Sequence, residues 1–259
     1  MMYIDNIDIK INSCGKEIIA KQDKIIISGP CAIESYEQLL ETAKFVKSQG
    51  ANVLRGGAFK PRTSPNSFKG LKEEGLEILK AVKKETGLAV ITELMDVRDL
   101  EKVYEVADII QIGSRNMQNF TLLTEVGKQD KPIMLKRGFV ATVKEWIGAS
   151  EYIIAEGNSK ILMCERGIRT FSDYTRNTLD LAVVPIIKKE TNLPVIVDPS
   201  HGTGVRELIK PMSKASLVCG ADGLMIEVHP QPEIALSDGE QSLHFYEYED
   251  LMRDIKIFM

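Results

Sequence analysis

A chain of 259 residues, 44% hydrophobic and 27% charged, has room for one large α/β domain with a substantial core. Its longest apolar runs are strand-length and its first residues carry acids, so neither a membrane span nor a secretory leader is expected and a cytoplasmic location is. The net charge of −4 gives no global pull toward nucleic acid or anionic membrane, and the four cysteines, Cys14, Cys31, Cys164 and Cys219, lie too far apart to suggest a disulfide framework.

The chain opens with Ile7, Ile9 and Ile11 spaced by two, then Ser13-Cys14-Gly15-Lys16, then Glu17 to Ala20. A short β-hairpin over residues 1–23 is the simplest reading, placed either as a plug in the bottom of the following domain or as a contact with another subunit. From Lys24 a single theme repeats: a β-branched run that ends in polar residues or glycine, then an amphipathic stretch of helical length. The runs read as strands are Lys24–Ser28, Asn52–Arg55, Leu88–Glu93, Asp108–Ile112, Ile133–Lys136, Ile161–Glu165, Val195–Asp198 and Gly223–Val228. Helical patterns between them include Ser35–Ser48, Gly70–Glu85 and Thr178–Glu190. Eight βα units in succession predict a (β/α)8 barrel, a TIM barrel over residues 24–259, with an open parallel sheet as the alternative. No G-x-G-x-x-G follows the first strand, so the dinucleotide-binding fold has no support.

Barrels of this kind build active sites at the C-terminal ends of their strands, and two sets of residues stand at those ends. One is cationic: Arg55, Lys60, Arg62, Arg115, Lys136 and Arg166, with the neighbouring hydroxyls Thr63 and Ser64. Such a concentration in a net-negative protein predicts ligands with several negative charges, such as two small phosphorylated molecules, against the plainer reading in which each base pairs with a nearby acid. The other set is Cys31, His201, Glu227 and Asp238, drawn from the first, seventh and eighth units, which barrel closure would bring together. A thiolate, an imidazole and two carboxylates suit a divalent Mn, Fe, Co or Zn ion better than Mg or Ca. The competing readings stay open on spacing alone: Cys31 as a buried small hydrophobe, Glu227 as a partner for an arginine, Asp238 as a turn residue or cap. His229 and His244 read as a loop and a helix residue, Cys14 as a hairpin position, and Cys164 and Cys219 as packing positions.

The segments Gly29-Pro30-Cys31-Ala32-Ile33-Glu34-Ser35, Leu54-Arg55-Gly56-Gly57-Ala58-Phe59-Lys60-Pro61-Arg62-Thr63-Ser64-Pro65, Cys164-Glu165-Arg166-Gly167, Asp198-Pro199-Ser200-His201 and Ile226-Glu227-Val228-His229-Pro230 together resemble the DAHP synthase family, over about Lys24 to Leu243. Within the wider superfamily that includes KDO8P synthase, the Lys60-Pro61-Arg62-Thr63-Ser64 stretch resembles the DAHP branch; the other branch carries a Lys-Ala-Asn-Arg-Ser-Ser type of segment. The resemblance implies a metal-dependent condensation of phosphoenolpyruvate with erythrose 4-phosphate, the first step of the shikimate pathway to aromatic amino acids, with arabinose 5-phosphate as the alternative second substrate. It implies metal ligation by Cys31, His201, Glu227 and Asp238, phosphoenolpyruvate contacts from Arg55, Lys60, Arg115, Lys136 and Arg166, and aldose phosphate contacts from Arg62, Thr63 and Ser64. Catalytic work falls to Lys60, Glu93, Lys136 and His201, with Glu93 matching a carboxylate that helps to position water. Departures are small: Ser114 stands where Ala is more usual and Gly202 varies a loop that is often Ser-His-Ala-Thr-Gly. A homo-oligomer, dimer or tetramer, is expected; 23 leading residues are too few for a regulatory domain, so feedback inhibition through one is not.

Overall fold

A computed structural model describes residue 4 and residues 9–61, 64 and 66–259. Ile7 of the predicted hairpin, and Arg62 and Thr63 of the predicted anion site, lie outside the described residues. Two short antiparallel strands, β1 (Lys10–Ser13) and β2 (Lys16–Ile19), precede eight parallel strands: β3 (Ile25–Gly29), β4 (Val53–Arg55), β5 (Ala89–Leu94), β6 (Ile109–Ile112), β7 (Ile133–Lys136), β8 (Ile161–Glu165), β9 (Val195–Val197) and β10 (Gly223–Glu227). They pair in sequence order and close as a barrel through β10 on β3. The open-sheet alternative is thereby excluded. Helices α1 (Tyr36–Ser48), α2 (Glu73–Thr86), α3 (Leu100–Val106), α4 (Phe120–Gly127), α5 (Val143–Ala155) and α6 (Val183–Thr191) connect successive strands; α7 (Pro199–Thr203) and α8 (Arg206–Val218) share the connection from β9 to β10, and α9 (Phe245–Ile255) follows the last strand.

The strands are mostly apolar because both their faces are buried, with polar residues gathered toward their C-terminal ends. One face packs outward: Ile26, Leu54, Val90, Ile110, Leu135, Met163, Val197 and Leu224 form a single core with the inward stripes of the helices. Alternate residues Ile25, Ile27, Val53, Ile91, Ile109, Met134, Leu162, Ile196 and Met225 fill the barrel. Ile9, Ile11, Ile18 and Ala20 belong to that interior cluster. Backbone contacts fix which end they enter, since the Cys14 amide donates to Gly87 O (2.7 Å) and the Ala89 amide to Ser13 Oγ (3.0 Å), both at the start of β5. The hairpin is therefore a plug at the N-terminal end of the strands. Burying each isoleucine contributes about 1.5–3 kcal/mol, which an unplugged barrel floor would forgo.

Several helix bounds differ from their expectation for local reasons. Ser35 lies just outside α1 as its N-cap, its hydroxyl accepting from the Gln38 amide (3.1 Å). The α2 helix begins at Glu73 because Gly70 and Lys72 have φ of +85° and +56°, which helical geometry excludes. Thr178 to Ala182 are not helical: Thr178 bridges to Ile168 across the loop after β8, and Asp180 turns inward to Arg137. Of the cysteines, Cys14 sits in the hairpin turn and Cys164 inside the barrel, whereas Cys219 is exposed at the end of α8, where packing has no hold on it. His244 caps α9 from outside its first turn. Among the described residues no helix is long and apolar enough to cross a membrane.

Candidate active site

The closure of β10 on β3 sets Glu227 beside Gly29. Cys31 follows two residues later, buried, and its Sγ lies 3.1 Å from Asp238 Oδ2 and 2.9 Å from Lys60 Nζ. From β9 the chain turns directly into α7, with Pro199 at the first helical position and Asp198 capping through Oδ1 to the His201 amide (3.0 Å). That one-turn helix presents His201, whose Nε2 lies 3.2 Å from Glu227 Oε1 and 3.8 Å from Asp238 Oδ2. One donor atom from each of Cys31, His201, Glu227 and Asp238 falls within 4.8 Å of all the others.

This set fits a resident divalent ion. Burial, then the charge of Glu227, push the Cys31 thiol up to about 12 against the pull of Lys60, with Asp238 adding to the rise, so two carboxylates face a protonated thiol and an imidazole that an ion could bind together. Burial outweighs the neighbouring acids and lowers the His201 pKa, which leaves a neutral imidazole with Nε2 facing the group. Its Nδ1 is held by Asp198 Oδ2 at 2.8 Å, the carboxylate-to-histidine arrangement that orients a metal ligand. Asp238 stays ionised: burial opposes the charge, but His201, the Cys31 thiol, Lys60 and Arg176 bring its pKa well below the usual range.

Above this group opens a cavity of about 270 Å³ lined by Arg55, Lys60, Ser64, Glu93, Arg115, Lys136, Arg166, His201 and Asp238 among others. Every described residue proposed from the sequence is in the cavity wall or, for Cys31 and Glu227, directly beneath it. The plainer reading of the cations holds for two of them, since Arg55 pairs with Glu227 (3.1 Å) and Lys136 with Asp198 (2.6 Å), all buried. Arg115 and Arg166 instead lie over the Phe139 ring at 5.4 and 4.8 Å, with the surface cation Arg169 at 5.0 Å. Burial raises the Glu93 pKa against the opposing pull of Lys60 and Lys136, and Gln111 Nε2 donates to it at 3.3 Å.

Sequence reasoning passed over four contributors. Gln111, Phe139 and Arg176 line the cavity, yet none stands in a pattern that announces chemistry. Asp198 stood in a quoted segment, and an acid three residues before a histidine was the available signal; only the fold shows that it bridges His201 and Lys136.

A family model described as the DAHP synthetase I family matches residues 6–257. The chain belongs to that family. A phospho-2-dehydro-3-deoxyheptonate aldolase from Thermotoga maritima is 55% identical over 231 residues, 89% of this chain and 68% of the relative. A 2-dehydro-3-deoxyphosphooctonate aldolase from Francisella tularensis subsp. holarctica is 33% identical, covering 89% and 90%. Among solved structures, the T. maritima DAHP synthase superposes with a TM-score of 0.92 at 52% identity, over 97% of this chain and 73% of that one. A truncated form of the T. maritima 3-deoxy-D-arabino-heptulosonate 7-phosphate synthase gives 0.88 at 48%, over 97% and 92%. Membership in the DAHP synthetase I family matches the barrel and the segments at its strand ends.

Proposed function

We infer that this protein condenses phosphoenolpyruvate with erythrose 4-phosphate to give 3-deoxy-D-arabino-heptulosonate 7-phosphate and inorganic phosphate, the entry into aromatic amino acid biosynthesis. The observation that carries the reading is the four-donor group set directly beneath a cavity walled by arginine and lysine. The higher identity to a heptonate enzyme than to an octonate enzyme favours the four-carbon aldose phosphate over arabinose 5-phosphate.

Cys31, His201, Glu227 and Asp238 would hold the ion, and the mixed soft and hard donors favour Mn, Fe, Co or Zn. When bound, such an ion supplies a Lewis acid for the aldehyde oxygen. Arg115, Arg166, Lys136, Arg55 and Lys60 bind the phosphate and carboxylate of phosphoenolpyruvate, and Arg62, Thr63 and Ser64 take the phosphate of the aldose. With both substrates held, C3 of phosphoenolpyruvate meets the aldehyde carbon, an orientation effect that can be worth about 7–11 kcal/mol. Positive charge then develops at C2, and Glu93, kept in place by Gln111, directs the water that adds there before phosphate leaves. Lys60 keeps its proton: burial opposes the ammonium, but Cys31, Glu93 and Glu227 raise its pKa, so it serves as a fixed cation beside the reacting groups. A Schiff-base role for Lys136 is disfavoured because its amine is locked against the buried Asp198 carboxylate (2.6 Å). Cysteines that are all free accord with action in the reducing cytoplasm.

The test is consumption of phosphoenolpyruvate by purified protein supplied with each aldose phosphate, before and after EDTA treatment and after Mn²⁺ is added back. Consumption that needs erythrose 4-phosphate, stops on chelation and returns with Mn²⁺ is expected. Full turnover in metal-free protein, or faster turnover with arabinose 5-phosphate, overturns the assignment.

A further inference from the structure

Each carboxylate of the four-donor group uses one oxygen toward Cys31 and His201 and turns the other away. Glu227 points Oε1 at His201, and its Oε2 accepts from Gln241 Nε2 at 2.5 Å. Asp238 points Oδ2 at Cys31, and its Oδ1 faces Arg176 Nη1 at 3.4 Å. The same Arg176 Nη1 donates to Gln241 Oε1 at 2.9 Å. One guanidinium at the cavity rim is therefore connected to both outward oxygens, directly for Asp238 and through a buried amide for Glu227. An amide is suited to this relay, since it accepts from the arginine at one end and donates to the carboxylate at the other.

The backbone of the same segment reaches a third member of the group. The Arg176 amide donates to Thr203 O (2.7 Å) and Asn177 Nδ2 to His201 O (2.9 Å), which ties the loop after β8 to the short helix that carries His201. The fit is close at Gly204, where φ is +66° and an added Cβ would stand 2.6 Å from the Arg176 Cβ. A single turn of helix cannot hold a side chain in place by its own hydrogen bonds, so this outside support fixes where the imidazole sits.

We propose that Arg176 is a positioning residue for the metal group, clamping Asp238 directly and Glu227 through Gln241 while its own backbone holds the helix of His201. The inference rests on the reading of Cys31, His201, Glu227 and Asp238 as metal ligands. It opposes the simplest electrostatic expectation, because removing a cation close to a bound divalent ion should by charge alone strengthen metal binding. A clamp predicts the reverse. Loss of outer partners that orient ligands typically weakens metal affinity by about 10- to 100-fold.

Metal-free full-length protein is titrated with Mn²⁺, and the dissociation constant is compared for wild type, Arg176→Ala, Arg176→Lys, Gln241→Leu and Cys31→Ser, with thermal melting of each metal-free sample. Arg176→Ala and Gln241→Leu are expected to weaken Mn²⁺ binding by at least tenfold with little change in metal-free melting. Arg176→Lys should recover at least part of that loss, because a lysine ammonium keeps a charged donor on a single nitrogen, as the Nη1 that serves both Asp238 and Gln241 does. Unchanged or tighter binding in Arg176→Ala overturns the clamp, as does binding in Arg176→Lys no better than in Arg176→Ala. A rise in KM for either substrate with unaltered Mn²⁺ affinity assigns Arg176 to substrate instead and likewise overturns it. Should Gln241→Leu fold poorly, the half-exposed Arg176 variants carry the decision alone. Cys31→Ser separates the two levels of the argument: if it too leaves Mn²⁺ affinity untouched, the metal group itself is misassigned, and if it alone weakens binding, only the clamp fails.

Discussion

Arg137 and Glu165, at the ends of neighbouring strands, form a buried pair whose removal should be costly one partner at a time and far less costly together. Arg137 Nη1 lies 3.0 Å from Glu165 Oε2 and 2.9 Å from Asp180 Oδ2, and its Nε donates to Ala141 O at 3.0 Å. Glu165 is fully buried, and its Oε1 accepts from the Gly167 amide (2.6 Å), directly after Arg166. Glu165→Gln preserves that acceptor but turns an amide N–H₂ toward the guanidinium, donor against donor. Breaking a buried pair costs about 3–5 kcal/mol, and because Asp180 still faces Arg137 the lower end, about 3 kcal/mol, is expected here. Arg137→Met leaves Glu165 without its partner and should cost about 4 kcal/mol, while replacing both with apolar residues, Arg137→Met with Glu165→Leu, relieves much of the burden. Urea unfolding of Arg137→Met, Glu165→Leu and the double Arg137→Met/Glu165→Leu gives the coupling as a double-mutant cycle, with Glu165→Gln measured beside it as a separate single variant. Strictly additive losses would refute the reasoning, as would a Glu165→Gln loss below about 1 kcal/mol, the scale of an exposed pair.

Two further outcomes follow from distances at the site. In Gly113→Ala the new Cβ would stand 2.0 Å from Glu93 Oε1 with the carboxylate in place, so Glu93 must move; kcat should fall at least tenfold with folding retained, and an unchanged kcat removes Glu93 from the water-positioning role. Metal loading between pH 7 and 9 should release about one proton per ion, seen in weakly buffered titrations, because the Cys31 thiol stays protonated up to about 12 while His201, with its lowered pKa, is already neutral. Apparent affinity then rises with pH across that window, and both effects should vanish in Cys31→Ser.

The strands were readable because their signal is local: β-branched runs buried on both faces, ended by glycine or charge, as in Gly113-Ser114-Arg115 or Lys136-Arg137. Cys31, His201, Glu227 and Asp238 could be grouped because barrel closure follows from the count of βα units and brings β3 to β10, but on spacing their role stayed open and only the family resemblance implied that they are ligands. What stayed hidden depends on side-chain direction and on loops. Nothing local states that Asp180 leaves its helical pattern to reach Arg137, nor that Gln241, in a polar stretch, turns inward to Glu227. Cys219 looked apolar enough to pack, but the helix end it follows is solvent-facing.

On the proposed assignment, the pairing of cations with the donor group would couple metal to substrate. Arg55 is held by Glu227, Lys60 by the Cys31 sulfur, and Lys136 by Asp198, which also holds His201. Those contacts ease the crowding of cations in the mouth without a ligand, because Arg55 and Lys136 have buried carboxylate partners and Lys60 a buried sulfur, while Arg115 and Arg166 lie over Phe139. If Cys31 and Glu227 hold a divalent ion, Arg55 and Lys60 would share those partners with it and be freer to meet the phosphate and carboxylate of phosphoenolpyruvate. Even after the thiol proton departs, the mouth gains one net positive charge. Phosphoenolpyruvate should therefore bind Mn²⁺-loaded protein more tightly than metal-free protein, and by reciprocity it should raise Mn²⁺ affinity by the same factor, with couplings of this kind typically about 5- to 150-fold. Calorimetric titration of each ligand in the presence and absence of the other measures both arms. Independent binding would mean that the pairs to Glu227 and Cys31 persist when the ion is present, and that the cations facing the cavity act on substrate without reference to the metal.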